Sequence, residues 1–419
     1  MKMLLKCSRT SFGNNQRKGR FLRAFLRGGF CLDSGECTPW RKIGSLIAGV
    51  LASAVLACAA TLYKAHPSEI VTADWNPTKG SPPGREYVGD RVCSGCHVSE
   101  GKTYLGTPMA QAAALAPDAD ILRNHPRLKF RQGPYSYLIV RRGNEFIYSV
   151  SDGRRTISAP IIWAFGRGAA GQTYVFHWNG AYYQSRVSFF NDIQSLDLTM
   201  GSPRGVPPNI EFALGARMDT DGVRACVVCH TTGAIRGGNF LPAQAVPGVH
   251  CEACHGPGGE HVEAINTGHW QQAQASIFNP GRLSPGRLDD FCGSCHRTWE
   301  QVELMGLTGI LNVRFQPYRL QNSRCWSPTD PRISCLSCHN PHENLVADAG
   351  FYDSKCLRCH LIKEVKEINA DPRRQTPACP VSSNGCIKCH MPRYEFPGGH
   401  YAFTDHDIRV ATAGASYPD

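Results

Sequence analysis

The sequence has little net charge once its first 42 residues are set aside. The 419-residue chain has a formal net charge of +11, of which +8 belongs to residues 1–42 and +3 to all the rest. Proteins that bind nucleic acid carry basic patches on their folded surface. Because the excess of Lys and Arg is concentrated in a leader, we expect no binding to nucleic acid.

The sequence also has no Cys-x-x-Cys pair without a histidine at the next position. A structural zinc site uses two thiolates at this spacing but does not require an adjacent histidine. A thioredoxin-like redox site needs one such pair on a βαβ scaffold rather than a series of pairs. The absence of any unaccompanied pair therefore argues against both classes.

Seven copies of Cys-x-x-Cys-His contain fourteen of the twenty cysteines. The pattern is typical of c-type haem attachment, because two thiols bond one edge of the porphyrin and the adjacent imidazole becomes the proximal iron ligand. The sequence therefore predicts seven covalently bound haem c groups. The predicted attachment residues are Cys93, Cys96, Cys226, Cys229, Cys251, Cys254, Cys292, Cys295, Cys335, Cys338, Cys356, Cys359, Cys386 and Cys389. The predicted proximal ligands are His97, His230, His255, His296, His339, His360 and His390.

Nine histidines lie outside the motifs, enough to offer a second imidazole to most of the irons. His342 follows His339 by only three residues, too near to reach the opposite face of the same ring, so we expect it to bind a neighbouring haem. His400 and His406 lie in a tail after the last motif, where two histidines have little other reason to occur. The predicted second ligands are His261, His342, His400 and His406, with His125 and His250 as further candidates.

The first haem offers a different possibility. Met109 lies twelve residues after His97. A thioether opposite imidazole raises the potential of a haem above that of a haem with two histidines. Met109 is therefore either an iron ligand or an ordinary packing residue.

Residues 43–63 carry no charge and are long enough to cross a bilayer. The basic leader at 1–42 precedes them, so the positive-inside rule places that leader in the cytoplasm and the rest of the chain outside. The segment is a cleaved signal, an uncleaved membrane anchor, or a lipoprotein signal with Cys58 as the acylation site. All three alternatives export the chain to the periplasmic side, and the last two associate it with the membrane.

The motif spacing predicts the domain organisation. Residues 64–85 are rich in Pro and Gly and predict an extended linker, followed by a heptahaem domain at 86–419. Six motifs crowd into 226–406, which leaves little chain for an ordinary core. We expect a mainly α and irregular multihaem cytochrome c fold, in which short helices and loops surround a haem-packed core.

The 128 residues between the first two motifs predict a different structure. Short β-branched and aromatic runs alternate there with turn signals, of which Asn179-Gly180 is typical of a type I′ hairpin. We therefore expect a small antiparallel β insertion at about residues 126–200, after the first haem.

Two cysteines of the exported part lie outside the motifs. Cys325 and Cys379 either form a disulfide, as an oxidising compartment allows, or are small buried residues.

Several stretches of the sequence resemble one known group of proteins. They include "YVGDRVCSGCHVSEGKTYLGTPMAQA", "GVHCEACHGPGGEHV", "CLSCHNPHE" and "CIKCHMPRYEFPGGHYAFTDHDIRV". They resemble exported bacterial multihaem cytochromes c, including relatives of the tetrahaem cytochrome of ammonia oxidation and forms fused to tetratricopeptide repeats, over most of residues 87–410. The resemblance implies distal ligation by His261, His342, His400 and His406. It departs in lacking a tetratricopeptide repeat and any motif that ends in Lys, so we expect neither that partner-binding array nor the site of the pentahaem nitrite reductases.

Three functions are compatible with these features. The first is transfer of single electrons between a redox protein donor and an acceptor, which needs closely packed haems and no bond-making residue. The second is a multihaem oxidoreductase of the hydroxylamine-oxidising or nitrite-reducing type, in which one open haem acts on a small nitrogen or sulfur compound. The third is a subunit of a conducting filament. We expect electron transfer, with a small-molecule substrate only if one haem is open.

Overall fold

The structure is a computed structural model that describes residues 75–168, 170–360, 379, 382, 384–412, 414 and 417. The predicted leader, the apolar segment at 43–63, Cys58 and the first part of the predicted linker lie outside the described residues. Among the residues described, no helix combines the length and the hydropathy needed to cross a membrane.

The largest element of regular structure is an antiparallel nine-stranded sheet. Seven strands follow one another from β2 to β8, while β1 pairs with β5 and β9 pairs with β7. Strands β2 and β8, at the two ends of this path, lie close together, so the sheet nearly closes on itself. The strands are β1 Ala113–Leu115, β2 Arg127–Gln132, β3 Tyr135–Arg142, β4 Glu145–Ser151, β5 Thr156–Gly168, β6 Gly171–Trp178, β7 Ala181–Phe190, β8 Ser195–Leu198 and β9 Gly215–Met218.

The sheet is wider than the small insertion expected at about residues 126–200. Strands β1 and β9 extend it at both ends of the sequence range, and each has only three or four residues. Such short segments show no alternation of apolar and polar residues, and therefore give no strand signal of their own.

The turn between β6 and β7 has the conformation that its sequence requires. Asn179 and Gly180 have φ values of 50° and 77°, and Trp178 pairs directly with Ala181. A type I′ turn needs positive φ at both central residues, which Asn-Gly tolerates best.

The inner face of the sheet forms a core of side chains. Buried and more exposed residues alternate along β3 and β4, as expected of strands with one face inward. Tyr148 is fully buried and donates a hydrogen bond to the carbonyl of Leu214, in the helix Ile210–Leu214 that packs into the same core. Each large apolar side chain buried here contributes about 1.5–3 kcal/mol. The sheet therefore has a core of its own.

The outer face of the sheet contacts the second motif. Trp163, Phe165 and Val175 pack against Val223 and Val227, which belong to the helix Thr220–His230. That helix ends in the second Cys-x-x-Cys-His motif. The sheet therefore fixes the position of one predicted haem.

The helices are short, and each motif lies at the end of one. The helices that carry motifs are α1 Asp90–Cys96, α5 Thr220–His230, α6 Cys251–His255, α9 Pro285–His296, α12 Cys335–Cys338, α13 Ala349–His360 and α14 Cys386–His390. The other α-helices within the described residues are α2 Val98–Tyr104, α3 Asp120–Asn124, α4 Ile210–Leu214, α7 Gly259–Asn266, α8 Trp270–Ala275, α10 Trp299–Met305 and α11 Gln316–Gln321. Helices of this length are unstable alone and depend on packing.

Protein side chains supply little of that packing in the later part of the chain. A cluster of buried apolar residues there consists of Val302, Phe315 and Tyr318 with Leu307 beside it. This cluster is far smaller than the core of the sheet. Short helices around so small an apolar cluster are consistent with a porphyrin-filled interior, which remains a prediction.

The described part of the predicted linker is not extended into solvent. Trp75 is 8% exposed, and its indole donates a hydrogen bond to the Ala253 carbonyl at 3.1 Å. Gly256 lies beside this ring, and its φ of 76° is a conformation that favours glycine. Trp75 thus packs against the third motif, and residues 64–74 of the predicted linker lie outside the described residues.

Candidate haem centres

The helical geometry of the motifs suits attachment of one porphyrin each. Residues three apart on a helix lie on the same face, so both cysteines of a motif face one side and the histidine follows directly. In α5, for example, Cys226, Cys229 and His230 form the last turn. Among the residues that the structure describes, no group of three or more His, Cys, Asp or Glu side chains is arranged to hold a metal ion by itself.

Several proximal candidates are already oriented as metal ligands. The Nδ1 atoms of His230, His255 and His390 lie 3.0, 2.9 and 2.7 Å from backbone carbonyl oxygens of Ala112, Phe278 and Arg409. A carbonyl oxygen only accepts, so each Nδ1 carries the proton and Nε2 keeps its lone pair. This is the arrangement by which proteins orient metal-binding imidazoles.

Three proximal histidines face a second histidine. The ring centroids of His97 and His261 are 6.4 Å apart, those of His255 and His342 are 6.0 Å apart, and those of His339 and His406 are 6.3 Å apart. Imidazole nitrogens bind first-row metals at about 2 Å and lie about 1 Å from the ring centre, so two imidazoles on opposite sides of one iron have centroids about 6 Å apart. The three pairs fit an iron between their rings.

The second histidines of two of these pairs are also oriented by a hydrogen bond from Nδ1. His261 donates from Nδ1 to the Ala273 carbonyl at 2.8 Å, and His406 donates to that of Thr404 at 3.0 Å. Burial lowers the pKa of His406 to about 4, so its ring is neutral at neutral pH, as an iron ligand must be. His342 lies opposite His255 of the third motif rather than beside its own His339.

Met109 is not needed at the first haem. The ring opposite His97 is that of His261, which occupies the side proposed for the thioether. The structure therefore favours the packing role for Met109, whose side chain is partly buried.

Two other predicted ligands have their ring nitrogens engaged elsewhere. His250 contacts the Asp90 carboxylate through Nδ1 and lies 2.7 Å from the Pro247 carbonyl through Nε2. Burial alone would lower its pKa, but the Asp90 carboxylate outweighs this effect and the pKa of His250 is raised. Neither nitrogen is left for iron, so the structure does not favour His250 as a ligand.

His400 lies against the sheet. Its Nε2 is 2.7 Å from an Asp197 carboxylate oxygen, and its ring packs on Phe190. The structure does not bring His400 to a proximal histidine, and its Nε2 has a carboxylate partner instead.

His125 is oriented by its own helix end. Its Nδ1 lies 2.9 Å from the Ile121 carbonyl, and its ring packs against that of Phe189 at a tilt of 48°, with 4.7 Å between centroids. Nε2 is therefore left without the proton. The ring faces the aromatic core of the sheet, and it contacts no proximal histidine within the described ranges.

The structure does not form the predicted disulfide between Cys325 and Cys379. Cys325 follows helix α11 and lies near the motif thiols of Cys338 and Cys359. Its side chain is exposed, so the alternative of a small buried residue does not hold for Cys325 either.

Residues that hold His406 were missed by sequence reasoning. Arg319 is 1% exposed and binds Asp405, which is 0% exposed, at 2.9 Å; it also reaches Asp407 at 3.3 Å. Ser323 donates to the His406 carbonyl at 3.0 Å. The spacing of Asp405 and Asp407 on either side of His406 was a visible signal, but the partner arginine 86 residues away was not.

Motifs also contact one another through their cysteines. Four pairs of thiols from different motifs lie next to each other: Cys93 with Cys251, Cys229 with Cys295, Cys292 with Cys335, and Cys356 with Cys386. In addition, Cys254 lies near Cys292, and Cys338 lies near Cys356. The four contacts and the two electrostatically close pairs together connect all seven attachment points in one series, and the second motif branches from the fourth.

Comparisons with known proteins find similarity to multihaem cytochromes. The model of the family "Cytochrome c554 and c-prime" matches residues 210–256, which contain the second and third motifs. A "Multiheme cytochrome MtrA" from Shewanella baltica (strain OS185) is 22% identical over 197 residues, 45% of this chain and 49% of the relative. The chain therefore spans about half the length of this curated relative. No solved structure matches the chain.

The motifs and these matches together support a multihaem c-type cytochrome. Covalently bound haem c is the cofactor of this class.

Proposed function

We propose that this chain is a heptahaem cytochrome c that passes single electrons between a redox protein donor and a redox protein acceptor. The observation that carries the proposal is the set of three histidine pairs with ring centroids 6.0–6.4 Å apart. An iron with two imidazoles has no position left for a substrate. It can still accept and release an electron with little change in its ligands, which suits electron transfer.

The contacts between motifs support a continuous path for electrons. A carrier needs successive cofactors close to each other. Four contacts between thiols, together with two further pairs of thiols close enough to interact electrostatically, connect the seven attachment points. The proposed fold is accordingly a mainly α and irregular multihaem fold with a haem-packed core, joined to a separate sheet.

We propose further that the chain works on the periplasmic side. The basic leader and the uncharged segment at 43–63 support export, with anchoring by that segment or by acylation at Cys58 as the two routes to membrane association. The similarity to a curated multiheme cytochrome supports redox proteins as the partners.

The number and coordination of the haems test this proposal. Intact-mass measurement of the mature protein should find seven haems added to the polypeptide. Electron paramagnetic resonance should show low-spin signals from irons with two histidines. A colourless protein with the mass of the unmodified chain would overturn the proposal.

A second function is favoured by the surroundings of His230. The aromatic ring that contacts His230 is Phe165, at 5.4 Å and edge-on, and no histidine ring contacts it among the described residues. An iron held by His230 with no second imidazole would have an open position, as the oxidoreductase alternative requires. Carbon monoxide binding to the reduced protein distinguishes the two functions, because only an open haem takes up the gas.

A further inference from the structure

Three of the seven motifs share an aspartate that is not among the proposed iron ligands. The first, fourth and sixth motifs read "DRVCSGCH", "DDFCGSCH" and "DSKCLRCH", with Asp90, Asp289 and Asp353 three residues before the first cysteine. On a helix this spacing places the carboxylate on the same face as that cysteine.

Asp353 of the sixth motif binds the start of the seventh. Its two carboxylate oxygens accept hydrogen bonds from the backbone amides of Gly385 at 2.6 Å and Cys386 at 2.8 Å. Helix α14 begins at Cys386 and has no capping side chain of its own. Asp353 is 5% exposed, so these bonds are made away from bulk water.

Asp90 of the first motif binds the start of the third in the same way. Its carboxylate accepts from the Cys251 amide at 3.2 Å, where helix α6 begins. The contact is reciprocal, because the buried Glu252 accepts from the amides of Val88 and Gly89 at 2.8 Å, just before α1. Two helix starts are thus held by carboxylates from each other's motif.

Asp289 of the fourth motif binds the fifth. It is fully buried and accepts from the Trp326 indole at 2.7 Å. It also interacts with Cys335 through both the backbone and the thiol, the latter at 3.2 Å. A sulfur bonded to a porphyrin has no proton to donate, so the backbone and indole contacts are those that remain after haem attachment. Cys335 is the first residue of helix α12.

The thiol contacts follow the same pairing. The first cysteines of the two motifs lie next to each other in each of these three pairs, which are Cys93 with Cys251, Cys292 with Cys335, and Cys356 with Cys386. The second motif has Val223 at the aspartate position, buried against the sheet. It meets the fourth motif through the second cysteines, Cys229 and Cys295. The arrangement of first cysteines side by side thus occurs where the aspartate is present.

We propose that Asp90, Asp289 and Asp353 are pairing residues, each of which holds its own attachment helix to the helix of a second motif and so sets the arrangement of two haems. The inference rests on the proposed haem attachment. A buried carboxylate bonded to backbone amides at a helix start is directional and is strongly destabilised when its partners move away. Each aspartate thus fixes the position of one attachment helix relative to the other, which the haems alone would not fix.

Asp353 offers the sharpest test. Neighbouring haems produce a bisignate Soret band in circular dichroism whose amplitude depends on their distance and angle. Asp353→Ala should keep seven haems by intact mass but lose part of this amplitude. Asp353→Asn, which retains one accepting oxygen, should lose less. Asp348→Asn is the matched control, because Asp348 is exposed and accepts from the Gly350 amide at the start of the same helix.

The outcomes separate the two proposals. A wild-type chain without haem would overturn the proposed function. A fully loaded Asp353→Ala variant with an unchanged Soret band would overturn only the pairing. If Asp353→Ala fails to take up all its haems, Asp353→Asn and Asp353→Glu decide. The longer side chain in Asp353→Glu displaces the carboxylate, which then cannot keep both amide bonds. An unchanged Soret band in both loaded variants overturns the pairing, and a reduced amplitude in either supports it.

Discussion

His255 and His342 face each other with nearly parallel rings, 6.0 Å between centroids and 10° between planes. The two belong to different parts of the chain, since His255 ends the third motif and His342 follows the fifth. One haem is thus expected to join two segments that are far apart in sequence, which couples folding to cofactor binding.

Replacement of His342 by alanine should open one coordination position. We expect one iron to change from low spin to high spin in electron paramagnetic resonance and to bind carbon monoxide when reduced, with all seven haems retained. His269→Ala is the control, because His269 is exposed and its Nδ1 lies 2.9 Å from the Thr267 hydroxyl. An unchanged spectrum in His342→Ala would reject the pairing with His255.

The charged cluster that surrounds His406 should affect both stability and haem coordination. Arg319→Met removes the buried partner of Asp405 and Asp407, and breaking a buried ion pair costs about 3–5 kcal/mol when the remaining charge has no other partner. Arg409 still contacts both carboxylates, so the loss should lie below that range but above that of a surface pair. We expect this loss in urea unfolding, together with a weakened low-spin signal from the iron held by His339 and His406.

Arg332→Met is the matched change on the surface. Arg332 binds Asp330 at 2.6 Å with its side chain 56% exposed, and a surface pair contributes about 0–1 kcal/mol. Equal losses in the two variants would mean that the buried cluster has no special role.

The sheet should be stable through its own side chains. Phe176 is fully buried in its core, so Phe176→Ala should cost about 3–5 kcal/mol, while the haem spectrum stays unchanged. Phe212→Ala is the control, since Phe212 is 64% exposed. A loss of haem signal in Phe176→Ala would show instead that the sheet and the haem region unfold together.

The structural features that the sequence could predict are those determined by residues close together in the chain. The seven motifs follow from spacing alone, and Asn179-Gly180 requires its turn because few other residue pairs accept positive φ at both positions. The ring opposite His97 is that of His261. Neither local spacing nor composition specifies a contact between two residues so far apart in the sequence. Even for His250, which lies next to a motif, the sequence could not decide whether it binds iron. The residue that engages its ring is Asp90, 160 residues earlier in the chain.

The same distinction applies to the aspartates. Their position three residues before a cysteine was visible in the sequence, but the identity of the partner helix was not. Asp289 and Asp353 bind the next motif along the chain, whereas Asp90 binds the third motif and passes over the second. The inserted sheet separates the first two motifs in sequence, and the second motif packs on that sheet instead.

Removal of one attachment site should remove one haem. The double variant Cys386→Ala and Cys389→Ala should have a mass that corresponds to six haems, because a porphyrin with no thioether bond is lost on denaturation. Cys325→Ala should retain seven, since Cys325 lies outside the motifs. A mass with seven haems in the double variant would reject the seventh motif as an attachment site.

The family resemblance and the structure assign different roles to His400. The resemblance implies that His400 binds iron, whereas in the structure its Nε2 lies 2.7 Å from the Asp197 carboxylate and its ring rests on Phe190. If that geometry persists with haem bound, His400→Ala should leave every low-spin signal unchanged and destabilise only the contact between the tail and the sheet. Asp197→Asn should have the same small effect on unfolding by urea. Appearance of a high-spin iron in His400→Ala, but not in Asp197→Asn, would instead establish His400 as a ligand and show that the ring leaves Asp197 when haem is attached.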